Sequence, residues 1–383
     1  MKSLQLEGPR QLVLRDVPEP VPQEYEVLIQ VGAVGVCGTD FHIYSGEANY
    51  NSDAQGRAIP LSIQPQILGH EFCGTVQEVG RRVAGLEPGD RVAVDQGLNC
   101  YSQRILPVCE YCRSGDSHQC QNYQERGITG LAGAMQELVT MPAVNCIPVA
   151  EGLSFGEMAL SEPLGCIIHS VDRAIRMPAR YMFPGEPGGS EAIENILILG
   201  AGPAGLLFLK YLRKAQKFQG QILVADRVEE KLKLVEQFGG TPVNPSQVDL
   251  AEAVGELTGG RKIHFLIEAT GSGVVFQTIP EVLRKQATVV LYGHGHEGTD
   301  LSVLNRVLFL EPTLVVSVGA SGRIDAHTGR PETTQRAVKL IQSGRIEVRP
   351  LISHQYRVLE DIRHAFERDS RNQDYIKGVL SLE

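Results

Sequence analysis

The chain has 383 residues, 42% of them apolar, and 36 Lys and Arg stand against 45 Asp and Glu for a net charge of −9. That length suits two domains with sizeable cores, and the acidic balance, with no Lys/Arg cluster, excludes the basic face of a nucleic-acid binder. The opening MKSLQLEGPR has no apolar signal-type core, and the most apolar stretch, Ile196 to Leu209, is too short to span a bilayer and is broken by Gly and Pro, so the expectation is a cytoplasmic protein with no membrane and no nucleic-acid partner.

The first 165 residues read as β-rich. Leu12-Val13-Leu14 is extended, Tyr25 to Gln30 alternates and continues through Val31 to Val36, and Gly74–Val79 and Arg91–Val94 add strands around a Pro88-Gly89-Asp90 turn. Frequent turns without helical periodicity predict a barrel-like β domain. Residues 46–66 are polar and turn-rich. They read as a surface loop, with a substrate lid or an oligomer contact as the functional alternative.

Two runs in this half carry chemistry. Cys37-Gly38-Thr39-Asp40-Phe41-His42-Ile43-Tyr44 comes first, and Gly69-His70-Glu71-Phe72-Cys73-Gly74-Thr75, running on to Gly80 and Val83, comes second. Thiolate, imidazole and carboxylate are the groups that zinc takes. Of the eight Cys, four (Cys100, Cys109, Cys112 and Cys120) fall within twenty-one residues, which in a cytosolic chain reads as metal before disulfide. Cys73 and Cys146 read as core thiols.

Residues 180–193 hold Pro and Gly and read as an exposed loop. The pattern then changes. Ile196-Leu197-Ile198-Leu199 runs into Gly200-Ala201-Gly202-Pro203-Ala204-Gly205, a helix follows to about Leu212, and Gln221 to Ala225 ends at Asp226. A charged helix from Val228 to Phe238, Phe265-Leu266-Ile267 and Ala287 to Tyr292 continue the alternation, which predicts a doubly wound parallel sheet. A GxGxxG that follows a strand, opens a helix and precedes an acidic residue by twenty-one positions has the context of a dinucleotide site. Gly200 permits the tight turn, Gly202 the approach of the pyrophosphate, and Gly205 close helix–strand packing. Asp226 accepts ribose hydroxyls and repels a 2′-phosphate, favouring NAD over NADP, while the neighbouring Arg227 could pair with such a phosphate. The cofactor set is Gly200, Gly202, Pro203, Ala204, Gly205, Asp226, Arg227 and Thr270. Thr333 to Gln342 and Val358 to Arg368 read as helices, and Gly378 to Leu382 as a terminal strand.

Together the Gly-His-Glu stretch, the Cys37–His42 run and the nucleotide motif resemble the zinc-dependent medium-chain alcohol dehydrogenases over nearly the whole chain. The resemblance implies a β-rich GroES-like catalytic domain (1–169 and 321–383) and a Rossmann-type NAD-binding domain (170–320). It implies a catalytic zinc held by Cys37, His70 and Glu71, with Glu162 in Ser161-Glu162-Pro163 binding directly or through water; Cys166 reads as a core thiol, with a weak ligand role as its alternative. It also implies a proton relay from Thr39 through cofactor ribose to His42. Cys109, Cys112 and Cys120, with Gly115, match the last three ligands of the family's structural zinc lobe. The family's first ligand position is Leu106 here, and Cys100, nine residues before Cys109, is the residue able to complete the set.

The function implied is NAD-dependent oxidation of a secondary alcohol, a polyol or sugar. L-threonine 3-dehydrogenase-like oxidation of an amino alcohol is the alternative, followed by a zinc-free quinone or enone reductase and a non-enzymatic nucleotide-binding protein on the same fold. Substrate choice falls to the 46–66 loop and Arg323. A homodimer or homotetramer is expected by resemblance alone.

Overall fold

The longest strand of the first half, Glu26–Gly35, is buried along nearly its whole length because strands pair on both its edges. In the computed structural model, which describes residues 1–186, 190–296 and 298–382, Glu71–Val79 runs antiparallel along one edge, with shifts of register after Leu28 and Val31. Leu138–Pro142 and Lys377–Ser381 share the other edge. Arg91–Val94, Cys146–Pro148 and Ile352–Tyr356 complete a seven-stranded sheet. Lys2–Leu6 pairs with Leu12–Asp16 and Gln66–Ile67 in a smaller sheet. Leu4, Leu6, Val27, Ile29, Leu68, Phe72, Met135 and Met141 are fully buried in this core. These elements belong to one compact unit, Met1–Gly165 with Gly319–Glu383.

The second unit, Cys166–Val318, holds a six-stranded sheet. Its order is Thr241–Val243, Gln221–Ala225, Asn195–Leu199, Ile263–Glu268, Leu283–Leu291 and Thr313–Val316, parallel throughout. Asn195–Leu199 is buried at every residue, as a strand covered on both faces must be. This is the doubly wound order in which the first strand lies at the centre and the chain reverses beside it.

The division falls at 165/166 and 318/319, against 169/170 and 320/321 read from the sequence. The helix Ser161–Arg176 runs through the first boundary, so no loop marks it.

Two local readings change, while the 46–66 segment keeps its reading as a surface loop, most of its residues being exposed. Val358–Arg368 is not one helix but a short 3-10 turn, Leu359–Ile362, followed by Arg363–Glu367. The 180–193 segment is not wholly exposed. Tyr181–Met182 pairs in parallel with Glu191–Ala192, and Tyr181, Met182 and Phe183 are buried, while residues 187–189 lie outside the described residues. The 46–66 segment is tied down by a Ser52↔Ala58 bridge and a buried Asn51. No helix among the described residues is long and apolar enough to cross a membrane.

Candidate metal centres and cofactor site

Cys37 ends the run out of Glu26–Gly35 and precedes the helix Gly38–Ser45. His70 follows Gly69, whose φ of +89° admits the turn that aims the next side chain inward. Glu71 opens its strand opposite Gly35. One ligand atom each from Cys37, His70 and Glu71 lies within 4.8 Å of the others.

Two residues missed in the sequence hold this cluster. Asp40, fully buried, accepts the Cys37 amide at 2.9 Å and the Gly69 amide at 3.2 Å. Its Oδ1 lies 3.4 Å from His70 Nδ1, an ion-pair distance. Burial opposes both charges, yet the mutual attraction wins: the Asp40 carboxyl is held below its ordinary value, and His70 is raised well above its own by Asp40 and Cys37. Lys377, buried in the last strand, places Nζ 2.6 Å from Glu71 Oε1 and 2.5 Å from Oε2. Its pKa is raised because the Glu71 and Cys37 charges outweigh the cost of burial.

The set fits zinc. Sulfur, nitrogen and oxygen converge within 4.8 Å of one another, and Asp40 and Lys377 stand at ion-pair distance from His70 Nδ1 and Glu71 Oε2, atoms that make no other polar contact. Three protein ligands leave a coordination position open for substrate. Thr39 Oγ1 is 3.9 Å from Cys37 Sγ, and His42 Nδ1 is 2.8 Å from Glu47 Oε2. Glu162 stands outside the three-ligand cluster. It is buried at the start of its helix, and its Oε1 accepts Gln96 Nε2 at 3.0 Å. Cys166 also stands outside. Cys73 and Cys146 are fully buried, with their thiols on the Phe155 carbonyl at 3.0 Å and the Pro142 carbonyl at 3.7 Å.

The four Cys of the lobe meet. Cys100, Cys109, Cys112 and Cys120 are all buried, with ligand atoms within 4.8 Å of one another. Cys100 Sγ is 3.5 Å from Cys120 Sγ, and the Cys109 amide donates to Cys100 Sγ at 3.5 Å. The Tyr101–Val108 excursion thus closes on itself and brings Cys100 in. Burial pushes the Cys112 and Cys120 thiols up. It opposes ionisation of Cys109 too, but amides of Cys112 and Gln121 and the neighbouring thiols draw that group down to about 6. Four sulfurs in a dry pocket are the donor set of a closed structural zinc site. The lobe is fastened to the returning chain: the His118 amide donates to Ser321 Oγ and the Gly322 amide to Ser117 Oγ, each at 3.1 Å. Arg323 packs against Gly115.

In the second unit Gly202 caps the helix Pro203–Lys214, with Pro203 at its first position. A proline there loses no intrahelical bond, and the free amides of the first turn suit a diphosphate. A side chain on Gly205 would overlap the Gly200 carbonyl, and one on Gly200 would meet Thr270. Asp226 ends the next strand, its two oxygens accepting the Ala201 amide at 2.8 Å and the Val228 amide at 2.9 Å. Arg227 is exposed. Thr270 donates its amide and hydroxyl to the buried Glu268 carboxylate, which also meets His296 Nε2 at 2.8 Å.

Comparison with known proteins agrees with this geometry. Residues 23–151 match the alcohol dehydrogenase GroES-like domain, and residues 203–343 match the zinc-binding dehydrogenase domain. The chain is 31% identical over 358 residues to an L-threonine 3-dehydrogenase of Pyrococcus furiosus, covering 93% of this chain and 91% of that one. It is 29% identical over 366 residues to an erythritol/L-threitol dehydrogenase of Mycolicibacterium smegmatis, covering 94% and 92%. Among solved structures, a chain assigned as a zinc-binding dehydrogenase from Sinorhizobium meliloti 1021, bound to NADP, superposes with a TM-score of 0.79 at 26% identity, over 99% of this chain and 98% of that one. Metal ligands, nucleotide motif and both domain matches converge: the chain belongs to the zinc-dependent medium-chain alcohol dehydrogenases, NAD(P)-dependent oxidoreductases acting on CH–OH donors.

Proposed function

We propose that the protein oxidises a secondary alcohol, a polyol or sugar, with NAD. The observation that carries this reading is the Cys37–His70–Glu71 cluster with the Thr39 hydroxyl beside it. Zinc bound there would lower the pKa of a coordinated substrate hydroxyl. Thr39 Oγ1 would take that hydroxyl's proton while passing its own on through the cofactor ribose to His42, its Nδ1 fixed by Glu47, and so to solvent. Bound NAD would supply the hydride acceptor for the carbinol carbon. Met1–Gly165 with Gly319–Glu383 supplies the metal site, Cys166–Val318 the dinucleotide site, and the Cys100–Cys120 lobe a second, structural zinc. Glu162, outside the three-ligand cluster, would act through the zinc-bound water.

Asp226 supports NAD. Two backbone amides aim its carboxylate, which repels a 2′-phosphate. None of the eight Cys is in a disulfide, which suits a reducing, cytoplasmic compartment. A second copy of the chain covers the edge strand Thr313–Val316, where Leu314 and Val316 are 47% and 60% exposed beside exposed Leu308 and Phe309. An apolar open edge is otherwise an aggregation hazard. Oxidation of L-threonine is the second reading, favoured by the Pyrococcus furiosus relative.

The test is NADH formation by the zinc-replete protein with L-threonine, sorbitol, xylitol, galactitol, glucose and a simple secondary alcohol. A polyol or sugar as best substrate supports the proposal. Threonine alone would keep the chemistry and overturn the substrate class.

A further inference from the structure

We propose that Gln96, Glu125 and Glu162 form a subsite that reads a second hydrogen-bond donor on the substrate, beyond the hydroxyl that is oxidised. The subsite therefore selects polyols over mono-ols and over hydroxy acids. The inference rests on the alcohol oxidation proposed above and deepens it.

Gln96 lies just beyond the strand Arg91–Val94 and is 1% exposed. Its Nε2 donates to Glu162 Oε1 at 3.0 Å and reaches Glu125 Oε1 at 3.5 Å, the longer and weaker contact. The Tyr123 hydroxyl donates to the same Glu125 oxygen at 2.9 Å. An ionised carboxylate only accepts, so the amide nitrogen must face the two acids. That orientation leaves Gln96 Oε1 as a buried acceptor with no hydrogen-bond partner. A buried carbonyl oxygen requires a donor.

The cluster is next to the chemistry. The Arg126 amide donates to the Gln96 carbonyl at 3.2 Å, and Gly127 packs against the Gly69 carbonyl and the amide of His70. Two residues of backbone thus separate Glu125 from contact with a metal ligand. Three carboxylates gather there, Asp95, Glu125 and Glu162, and against the cost of burial they raise the pKa of His118, whose Nε2 lies 3.2 Å from Asp95. A substrate carboxylate would be repelled, whereas hydroxyl and ammonium groups both supply what the site lacks. Arg126 is the competing element, since its Nε is buried without a partner. Burial works against its cation, and the Glu26 carboxylate favours it.

The experiment measures kcat/KM with NAD for the zinc-loaded protein and its Gln96→Leu and Glu125→Gln variants. The substrates are a four-carbon secondary mono-ol, the matching diol and tetrol, the amino alcohol and the hydroxy acid. Zinc content and melting temperature confirm that each variant is folded, and Glu125→Gln, on a half-buried residue, serves if Gln96→Leu does not fold. The expected result is that wild type favours the diol or tetrol over the mono-ol by about tenfold or more, and that both variants lose most of this preference through KM. The amino alcohol as best substrate, with the same loss in the variants, supports the subsite and makes its ligand an ammonium. A preference that the variants leave unchanged, or a hydroxy acid as best substrate, overturns the proposal. If no alcohol is oxidised, the alcohol-oxidation reading has failed. The subsite is then decided by melting temperature alone: a polyol-induced rise that Gln96→Leu abolishes supports it, and no rise overturns it.

Discussion

The two metal centres of this chain are built on opposite plans. The Cys100–Cys120 lobe takes all its ligands from twenty-one consecutive residues, and its thiols touch mainly one another and nearby amides. The Cys37–His70–Glu71 centre takes ligands from two separate runs and sets a charged partner behind two of them, Asp40 behind His70 and Lys377 behind Glu71. A closed site needs only its ligands, because the metal satisfies every one. A site that must keep a position open and release product needs its ligands held whether or not all are bound. On the proposed assignment the lobe would depend on zinc for its structure, whereas the Cys37–His70–Glu71 cluster is held by ion pairs without it.

The largest effect should come from breaking the second plan. Lys377→Met leaves Glu71 buried and unpaired, which costs about 3–5 kcal/mol. Chemical denaturation of the metal-free protein should show that loss, and zinc should restore part of it by giving Glu71 another cation. Equal destabilisation with and without zinc would mean that Glu71 does not meet the metal. Asp40→Asn should weaken zinc at the catalytic centre by about 10- to 100-fold and leave the lobe's zinc in place, read by competition with a chromophoric chelator.

How visible these plans are in the sequence differs for the same reason. Cys37, His70 and the four lobe Cys stand in short runs whose spacing announces them. Cys100 was legible only as a candidate, because its chain must loop out before it returns. Lys377 pairs with a residue 306 positions away, and nothing local in Ile376-Lys377-Gly378 signals that its ammonium is buried. Asp40 was in plain view inside the first run but reads as an ordinary helix-start acid. Glu162 was read as a fourth ligand, and its hold on Gln96 depends on a tertiary contact between a helix start and a strand end. The parallel sheet was legible strand by strand because fully buried strands are continuous apolar runs. The helix over Val358–Arg368 was misread because its periodicity is right but the chain turns 3-10 before it.

Smaller effects sharpen the comparison. His42→Ala should slow turnover by about tenfold or more, chiefly at low pH, where loss of the proton limits. An unchanged pH–rate profile would remove His42 from the relay. Asp40 titrates with a folded-state value below its ordinary value of about 4. The stabilisation it gives is therefore complete above that ordinary value and is lost as pH falls through the depressed one. Acid titration of the metal-free protein should show this loss, and Asp40→Asn should lack it, whereas substitutions in the lobe should leave it unchanged.

The most direct test of the account is to count zinc and measure NADH formation side by side in wild type, Cys37→Ser and Cys112→Ser. The prediction is about two zinc ions per wild-type chain and about one in each variant. Cys37→Ser should stay as stable as wild type but lose activity by about a thousandfold, and Cys112→Ser should lose thermal stability first. A Cys37→Ser protein that binds the wild-type amount of zinc and still reduces NAD at the wild-type rate would contradict the assignment of the catalytic centre.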